Sequence, residues 1–234
     1  LELSGKAPLV ILDDADIGQA VDAAAFGAFA NSGQICMSTE RIIVDEKIAD
    51  AFIGQLTKKA VGLPLGDPRK GPVVLGSVVD MSTVTRCNEI IDDALAKGAK
   101  LLCGGKAENT LMPATLIDHV TPAMRIYSEE TFAPVKGIVR AKGVEEAIAI
   151  ANDNPYGLSS AVFDKDVGRA LQVAKRIEAG ICHVNGPTVH DEAQMPFGGV
   201  KDSGIGRFGG KAGIEAFTDL RWVSVQTTPR QYPF

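Results

Sequence analysis

The sequence has 234 residues, the length of one large domain or two small ones, and 45% hydrophobic and 23% charged residues, as in an ordinary globular protein. Its 24 basic and 29 acidic residues give a formal net charge of −5, spread along the chain without a basic patch. This argues against nucleic acid or an anionic membrane surface as the main partner, because both attract concentrated positive charge. No run reaches the roughly 20 apolar residues of a membrane span.

The cysteines and histidines are too scattered in sequence to predict a metal centre or a disulfide framework. No pair forms a Cys-x-x-Cys motif, and no histidine lies at zinc-finger spacing from a cysteine. Because a disulfide framework is not expected, we predict a reducing, cytoplasmic setting. Three of the four cysteines lie within predicted helices or strands, where a small buried side chain is the expected role. These three are Cys87, Cys103 and Cys182.

In the first half of the chain, short apolar runs alternate with stretches of helical periodicity. Asp16 is a predicted helix N-cap, and Ser32 and Gly33 end the same helix. The predicted elements are, in order, a strand at 9–12, a helix from 16 to about 31, a strand at 41–45, a helix at 46–61, a loop rich in glycine and proline at 62–76, and a helix at 80–97.

The second half continues the alternation. Its predicted elements are short strands near 99–103 and 114–120, a strand at 134–141, a helix at 144–152, a strand at 160–163, a helix at 166–178, a strand at 181–185, a Gly-rich segment at 198–210 and a last strand at 222–226. Strands alternating with helices predict an α/β fold with a mostly parallel sheet and helices on both faces.

Two residues are candidates for catalysis. Cys36 lies in a tight connection between a helix and a strand, where the backbone can expose a nucleophilic thiol together with its own N–H. Glu2 lies in an apolar, Gly-containing segment, where partial desolvation would raise its pKa towards that of a useful base. The residues alone leave the alternatives open, namely a small buried cysteine and a solvated terminal glutamate.

Two further segments lie close to strands. Glu129 to Phe132 precede a strand, so their carboxylates are placed either to accept hydrogen bonds from a sugar diol or to cap a turn. The Gly-rich segment 197–207 matches neither the P-loop nor the dinucleotide-binding glycine spacing, so we expect it to pack near a site rather than to bind phosphates.

Five segments, in the same order along the chain, together resemble aldehyde dehydrogenases. The segments are Glu2–Lys6, Gly33–Cys36, Glu129–Pro134, Asn152–Leu158 and Pro196–Lys201, the last followed by Ser203 and Gly204. Residues 185–196 and the closing runs 208–213, 220–226 and 229–234 are similar to the aromatic-aldehyde branch, which includes salicylaldehyde, vanillin and benzaldehyde dehydrogenases. Ser4 and Ala133 replace glycines of the family pattern, which concerns local turn geometry only.

The resemblance implies roles for individual residues. Cys36 would attack the aldehyde to give a thiohemiacetal, hydride transfer to NAD or NADP would leave a thioester, and Glu2 would activate the water that releases the acid. The backbone N–H of Cys36 would supply half of the oxyanion hole. Glu130 would bind the nicotinamide ribose and Phe132 the nicotinamide side of the cofactor. The residues implied at the aldehyde are Ile35, Met37 and Phe197, with the loop 186–195.

The resemblance also implies a domain organisation. Residues 1–218 would form the catalytic domain, and 219–234 an oligomerisation strand and tail of a homodimer or homotetramer. The amino-terminal NAD-binding domain of the family is absent from this sequence, so we expect residues 1–234 alone to lack aldehyde oxidation. Two alternatives are a non-enzymatic α/β fragment and a thiol acyltransferase or esterase that uses Cys36 without a cofactor.

Overall fold

The computed structural model describes residues 1–234 and places most of them around a seven-stranded sheet. The elements of the first half are β1 (Pro8–Ile11), α1 (Ile17–Phe29), a 3₁₀ turn (Ala30–Gly33), β2 (Arg41–Asp45), α2 (Ala49–Val61), α3 (Met81–Ala96), β3 (Lys100–Cys103) and β4 (Thr115–Asp118). The second half adds α4 (Arg125–Ser128), β5 (Val135–Ala141), α5 (Gly143–Asn152), β6 (Tyr156–Gly157), β7 (Ser159–Phe163), α6 (Val167–Ala174), β8 (Ile181–Val184), β9 (Val200–Lys201) and α7 (Gly210–Ala216).

The sheet has the strand order β3-β4-β5-β2-β1-β7-β8, and every neighbouring pair except β3 and β4 is parallel. In the centre, Leu9 of β1 lies opposite Ile42 of β2 on one side and Ala161 of β7 on the other. Strands β6 and β9 form a separate two-stranded antiparallel sheet. The predicted mostly parallel α/β fold is confirmed.

Helices cover both faces of the sheet, which explains why β1 is apolar throughout. Leu9 and Ile11 point to the face covered by α1 and α2, whereas Val10 and Leu12 point to the face covered by α5 and α6. All four side chains are fully buried. A third cluster joins α3 to β4 and β5. A strand buried on both faces needs an unbroken apolar run, which is the pattern that the sequence shows.

Aspartates start three of the helices. Asp16, Asp80 and Asp166 each accept a hydrogen bond from the backbone N–H three residues further on, at 2.9–3.1 Å. The predicted N-cap at Asp16 is therefore confirmed. The helices predicted at 46–61 and 166–178 are shorter, because turns occupy the first residues of one and the last residues of the other. None of the helices combines the length and apolar character needed to cross a membrane.

The carboxyl terminus differs from the prediction. Residues 222–226 form no strand, and 215–234 are all exposed; the side chain of Trp222 is 93% exposed. The apolar alternation of this segment suits a strand, but a strand forms only where its backbone pairs with a neighbour, and in the single chain this segment lies beside none. Helix α7, just before it, was missed because its glycines have low helix propensity.

Removing residues 219–234 should leave the free energy of unfolding unchanged within about 0.5 kcal/mol, because no hydrogen bond joins them to the rest of the chain. Urea unfolding followed by circular dichroism checks this. As a control, a chain ending at Arg207 also loses the backbone pairing of Phe197 with Phe208 and should be less stable. A loss above about 2 kcal/mol for the shorter deletion would show that the tail packs on the domain.

Candidate active site

Cys36 lies in the loop between the 3₁₀ turn and β2. Asn31, Ser32 and Gly33 have φ values of 50°, 58° and 73°, a left-handed run that ends α1 and reverses the chain. Gly33 is required at this turn, because a Cβ there would lie 2.4 Å from the carbonyl oxygen of Ala133. The backbone N–H of Thr39 donates to the carbonyl of Gly27 at 2.9 Å and anchors the far end of the loop on α1.

The Cys36 thiol faces a carboxylate. Its Sγ donates to Glu2 Oε1 at 3.3 Å, and the thiol is half-buried. Burial first, and then the hydrogen bond to Glu2 and the negative charge of Glu2, raise the pKa of Cys36 to about 12. The backbone N–H groups of Met37 and Cys36 lie close enough to the sulfur to oppose this rise. The resting thiol is thus protonated, with Glu2 in place to accept its proton.

The Gly-rich segment holds Glu2 in position. The backbone of Glu2 forms a bridge with Gly204, Leu3 N–H donates to Ser203 O at 2.9 Å, and Ile205 N–H donates to Leu1 O at 3.1 Å. Gly204 has φ +138°, and a Cβ there would lie 2.0 Å from the carbonyl oxygen of Leu1. The segment thus packs beside the site, as its glycine spacing predicted.

Gly5 connects Cys36 to Glu130. Its N–H donates to Glu130 Oε1 at 3.2 Å, and a Cβ on Gly5 would lie 2.8 Å from the carbonyl oxygen of Cys36. Burial, and then the charge of Glu40, raise the pKa of Glu130. Phe132 is 38% exposed and precedes Ala133, whose carbonyl packs on Gly33. The segment that carries Glu130 and Phe132 therefore lies against Gly5 and the turn that precedes Cys36.

An apolar wall completes the site. Met37, Leu158 and Phe197 form a buried cluster, against which Ile35, Cys36, Ile181 and Val189 pack. The hydroxyls of Thr39 and Thr188 are 2.8 Å apart and join the Cys36 loop to the 186–195 loop. The structure thus brings the candidate residues predicted from the sequence to one region, and their roles stay predictions.

A buried cluster of charged and polar residues beneath the site was missed. Glu40 accepts hydrogen bonds from Lys6 Nζ at 2.9 Å and Lys136 Nζ at 2.6 Å, and from the N–H and hydroxyl of Thr131 at 2.9 and 2.8 Å. All four residues are at most 2% exposed. The available signal was a charged residue within or next to a predominantly apolar strand, because such residues are buried only when they are paired.

Two of the histidines, although scattered in sequence, lie side by side in the fold. The rings of His183 and His190 meet edge to face at 5.2 Å, although seven positions separate them in sequence. They line a cavity of about 380 Å³ together with Cys182, Glu192 and Met195, among others. No group of three or more histidine, cysteine, aspartate or glutamate side chains is arranged to hold a metal ion.

Known proteins resemble this chain in sequence and in fold. The sequence model of the aldehyde dehydrogenase family matches residues 1–223. The chain belongs to the aldehyde dehydrogenase family. A vanillin dehydrogenase from Pseudomonas fluorescens is 60% identical over 233 residues, which are 100% of this chain and 48% of that protein. The chain thus spans about half the length of the curated relatives it matches.

Solved structures of the family have the same fold. A salicylaldehyde dehydrogenase from Pseudomonas putida G7, complexed with salicylaldehyde, has a TM-score of 0.97 and 53% identity over 100% of this chain and 49% of its own. An NADP-dependent glyceraldehyde-3-phosphate dehydrogenase from Bacillus halodurans C-125, complexed with NADP, has a TM-score of 0.88 and 39% identity over 92% of this chain and 45% of its own.

Replacing Glu2 by glutamine should make Cys36 more reactive towards iodoacetamide in the 234-residue chain. The variant lacks the carboxylate that raises the pKa of Cys36, so the thiolate fraction at pH 8–9 and the alkylation rate should rise roughly tenfold. Peptide mass spectrometry distinguishes Cys36 from the other cysteines. Glu46→Gln, an exposed carboxylate removed elsewhere, is the matched control. An unchanged or slower alkylation rate of Cys36 in Glu2→Gln would contradict the claim that Glu2 raises the pKa of the Cys36 thiol.

Proposed function

We propose that residues 1–234 form the catalytic part of an enzyme that oxidises an aromatic aldehyde to the carboxylic acid with NAD or NADP. The observation that carries the proposal is the 3.3 Å contact of Cys36 Sγ with Glu2 Oε1 beside an apolar wall. A lone exposed cysteine gives no such pairing of nucleophile and base. Membership of the family and the likeness to vanillin and salicylaldehyde dehydrogenases support the substrate class.

The first step is attack of Cys36 on the aldehyde carbon. Since burial and Glu2 raise its pKa to about 12, the thiol is almost entirely protonated at pH 7. Attack is therefore coupled to transfer of the thiol proton to Glu2, while the S–C bond forms and the carbonyl oxygen gains negative charge. The backbone N–H of Cys36 donates to that oxygen. The product is a thiohemiacetal on Cys36.

Release of the acid needs the same carboxylate again. When bound, a nicotinamide would accept the hydride from the thiohemiacetal carbon, which would leave a thioester on Cys36. Glu2 is exposed rather than partly desolvated as its apolar neighbours predicted, because residues 1–4 lie at the surface. It would therefore pass the thiol proton to solvent before it takes a proton from a water molecule. The hydroxide adds to the thioester carbon, the S–C bond breaks, and Cys36 regains a proton. One residue thus serves both half-reactions.

The residues near Gly5 fit one end of the cofactor. The Glu130 carboxylate accepts a hydrogen bond from Gly5 N–H through Oε1, and we assign its remaining acceptor capacity to the ribose hydroxyls of the cofactor. The neighbouring Phe132 ring is partly exposed and available to pack on the nicotinamide side. The Bacillus halodurans neighbour complexed with NADP supports a pyridine nucleotide.

The apolar wall and the exposed tail suggest the remaining partners. Ile35, Met37 and Phe197 offer an apolar surface beside Cys36, which suits the ring of an aromatic aldehyde. The tail 219–234 carries Leu220, Trp222 and other apolar side chains in full exposure. We assign it to contacts between copies of the enzyme, as a homodimer or homotetramer.

The test uses a hybrid enzyme in which residues 1–234 replace the matched half of the Pseudomonas fluorescens relative. The hybrid should reduce NAD or NADP with vanillin or salicylaldehyde. Cys36→Ala should lower kcat at least ~1,000-fold, because the nucleophile is lost with little packing. Cys182→Ala, which removes a sulfur from β8, is the matched control and should keep kcat within about threefold.

Three results would contradict the proposal. The first is near-normal turnover of Cys36→Ala, which would place the nucleophile elsewhere. The second is a folded hybrid that binds neither aldehyde nor cofactor, which would favour a non-enzymatic module. The third is ester hydrolysis by the 234-residue chain at the rate of the hybrid without any cofactor, which would favour a thiol esterase.

A further inference from the structure

We propose that Glu40 is a positioning residue that holds the segment 129–131, and with it the Glu130 side chain, in the place where the cofactor binds. The inference rests on the proposed function, in which Glu130 contacts the cofactor. Glu40 itself is 2% exposed, so its side chain is not accessible to an aldehyde or a cofactor. Its effect on the reaction is therefore transmitted through the residues that it binds.

The contacts of Glu40 reach the segment directly. Oε2 accepts from the N–H of Thr131 at 2.9 Å, and Oε1 accepts from the Thr131 hydroxyl at 2.8 Å. Lys6, which donates to Glu40 at 2.9 Å, also donates to the carbonyl of Glu129 at 2.7 Å. Residues on both sides of Glu130 are thus fixed by one carboxylate and its lysine partner.

The central strand β5 anchors this arrangement. Lys136 of β5 donates to Glu40 at 2.6 Å and is fully buried. Burial opposes ionisation, yet the charges of Lys136 and Lys6 hold the pKa of Glu40 at about 2. The carboxylate is therefore ionised throughout the working pH range, so its hydrogen bonds are charge-assisted and strong.

Arg86 of α3 binds the same segment as Glu40 and Lys6. Its guanidinium donates to the carbonyls of Glu130 and Thr131, both at 2.8 Å. The backbone carbonyls of residues 129, 130 and 131 thus all accept hydrogen bonds from side chains, and the N–H of Thr131 donates one to Glu40. Little backbone freedom is left, so the direction of the Glu130 side chain towards Gly5 follows from these contacts.

The other two candidate catalytic residues have anchors of their own. The Cys36 loop is fixed to α1 through Thr39, and Glu2 is fixed by its backbone pairing with Gly204. Loss of Glu40 should therefore disturb the cofactor contact more than the chemistry at Cys36. This selectivity separates a positioning role from a general structural role.

The decisive variant is Glu40→Gln combined with Lys136→Gln. It removes the carboxylate and one of its two lysine partners together, so the fold is spared a second buried lysine without a partner. In the hybrid enzyme the KM for NAD should rise at least ~10-fold, while kcat and the KM for the aldehyde stay within about threefold. Asp118→Asn with Arg140→Gln removes a partly buried ion pair between β4 and β5 and is the matched control.

A second measurement needs no enzyme activity. In the 234-residue chain, hydrogen exchange of the segment 129–134 should be at least ~10-fold faster in the Glu40 and Lys136 double variant than in the wild type. The Asp118 and Arg140 double variant should leave the hydrogen exchange rate of that segment unchanged. Thr131→Val, which keeps both lysine contacts and nearly the same shape, should raise the KM for NAD in the same direction with the thermal midpoint preserved.

The outcomes separate the two proposals. Equal changes in kcat and both KM values, or unchanged exchange of 129–134, would overturn the role of Glu40. A wild-type hybrid without NAD-dependent turnover would overturn the proposed function instead, and the exchange measurement would still decide whether Glu40 holds the segment. An unchanged KM for NAD in both variants of an active hybrid would also overturn the inference.

Discussion

The parallel pairing of β1, β2, β5 and β7 is the constraint on which the site depends. Parallel strands begin at the same edge of a sheet, so the segments that precede them are brought together there. Glu2 and Gly5 precede β1, Cys36 precedes β2, Glu130 precedes β5, and Leu158 precedes β7. Residues far apart in sequence thus meet at one edge of the sheet, because each lies just before a central strand.

Electrostatics divide this edge into two parts. Close to solvent, burial and the neighbouring Glu2 raise the pKa of the Cys36 thiol, which in the proposed function favours attack coupled to proton transfer over a permanently reactive thiolate. Beneath it, Glu40 is ionised between Lys6 and Lys136 and binds the segment that carries the proposed cofactor contact. On this proposal the buried group positions the segment, and the partly exposed pair carries out the chemistry.

The sequence predicted much of this, and the failures have physical causes. The strands, the Asp16 cap and the candidates Cys36 and Glu2 follow from local patterns and motifs. The partners of Glu40 were missed because they come from positions 6, 131 and 136, and only the tertiary fold joins them. The strand at 222–226 was wrong because a strand requires a neighbour as well as a suitable pattern.

The measurement that tests the account most directly is the mass of the Cys36 peptide in the Glu2→Gln hybrid after mixing with NAD and vanillin. Without Glu2 the thiol loses its proton acceptor, but its pKa also falls, so a larger thiolate fraction attacks the aldehyde directly; no base remains to activate water. We predict one rapid turnover of reduced cofactor per site and an acyl group on Cys36. Steady turnover at the wild-type rate, or an acyl group on another residue, would contradict the pairing of Cys36 with Glu2.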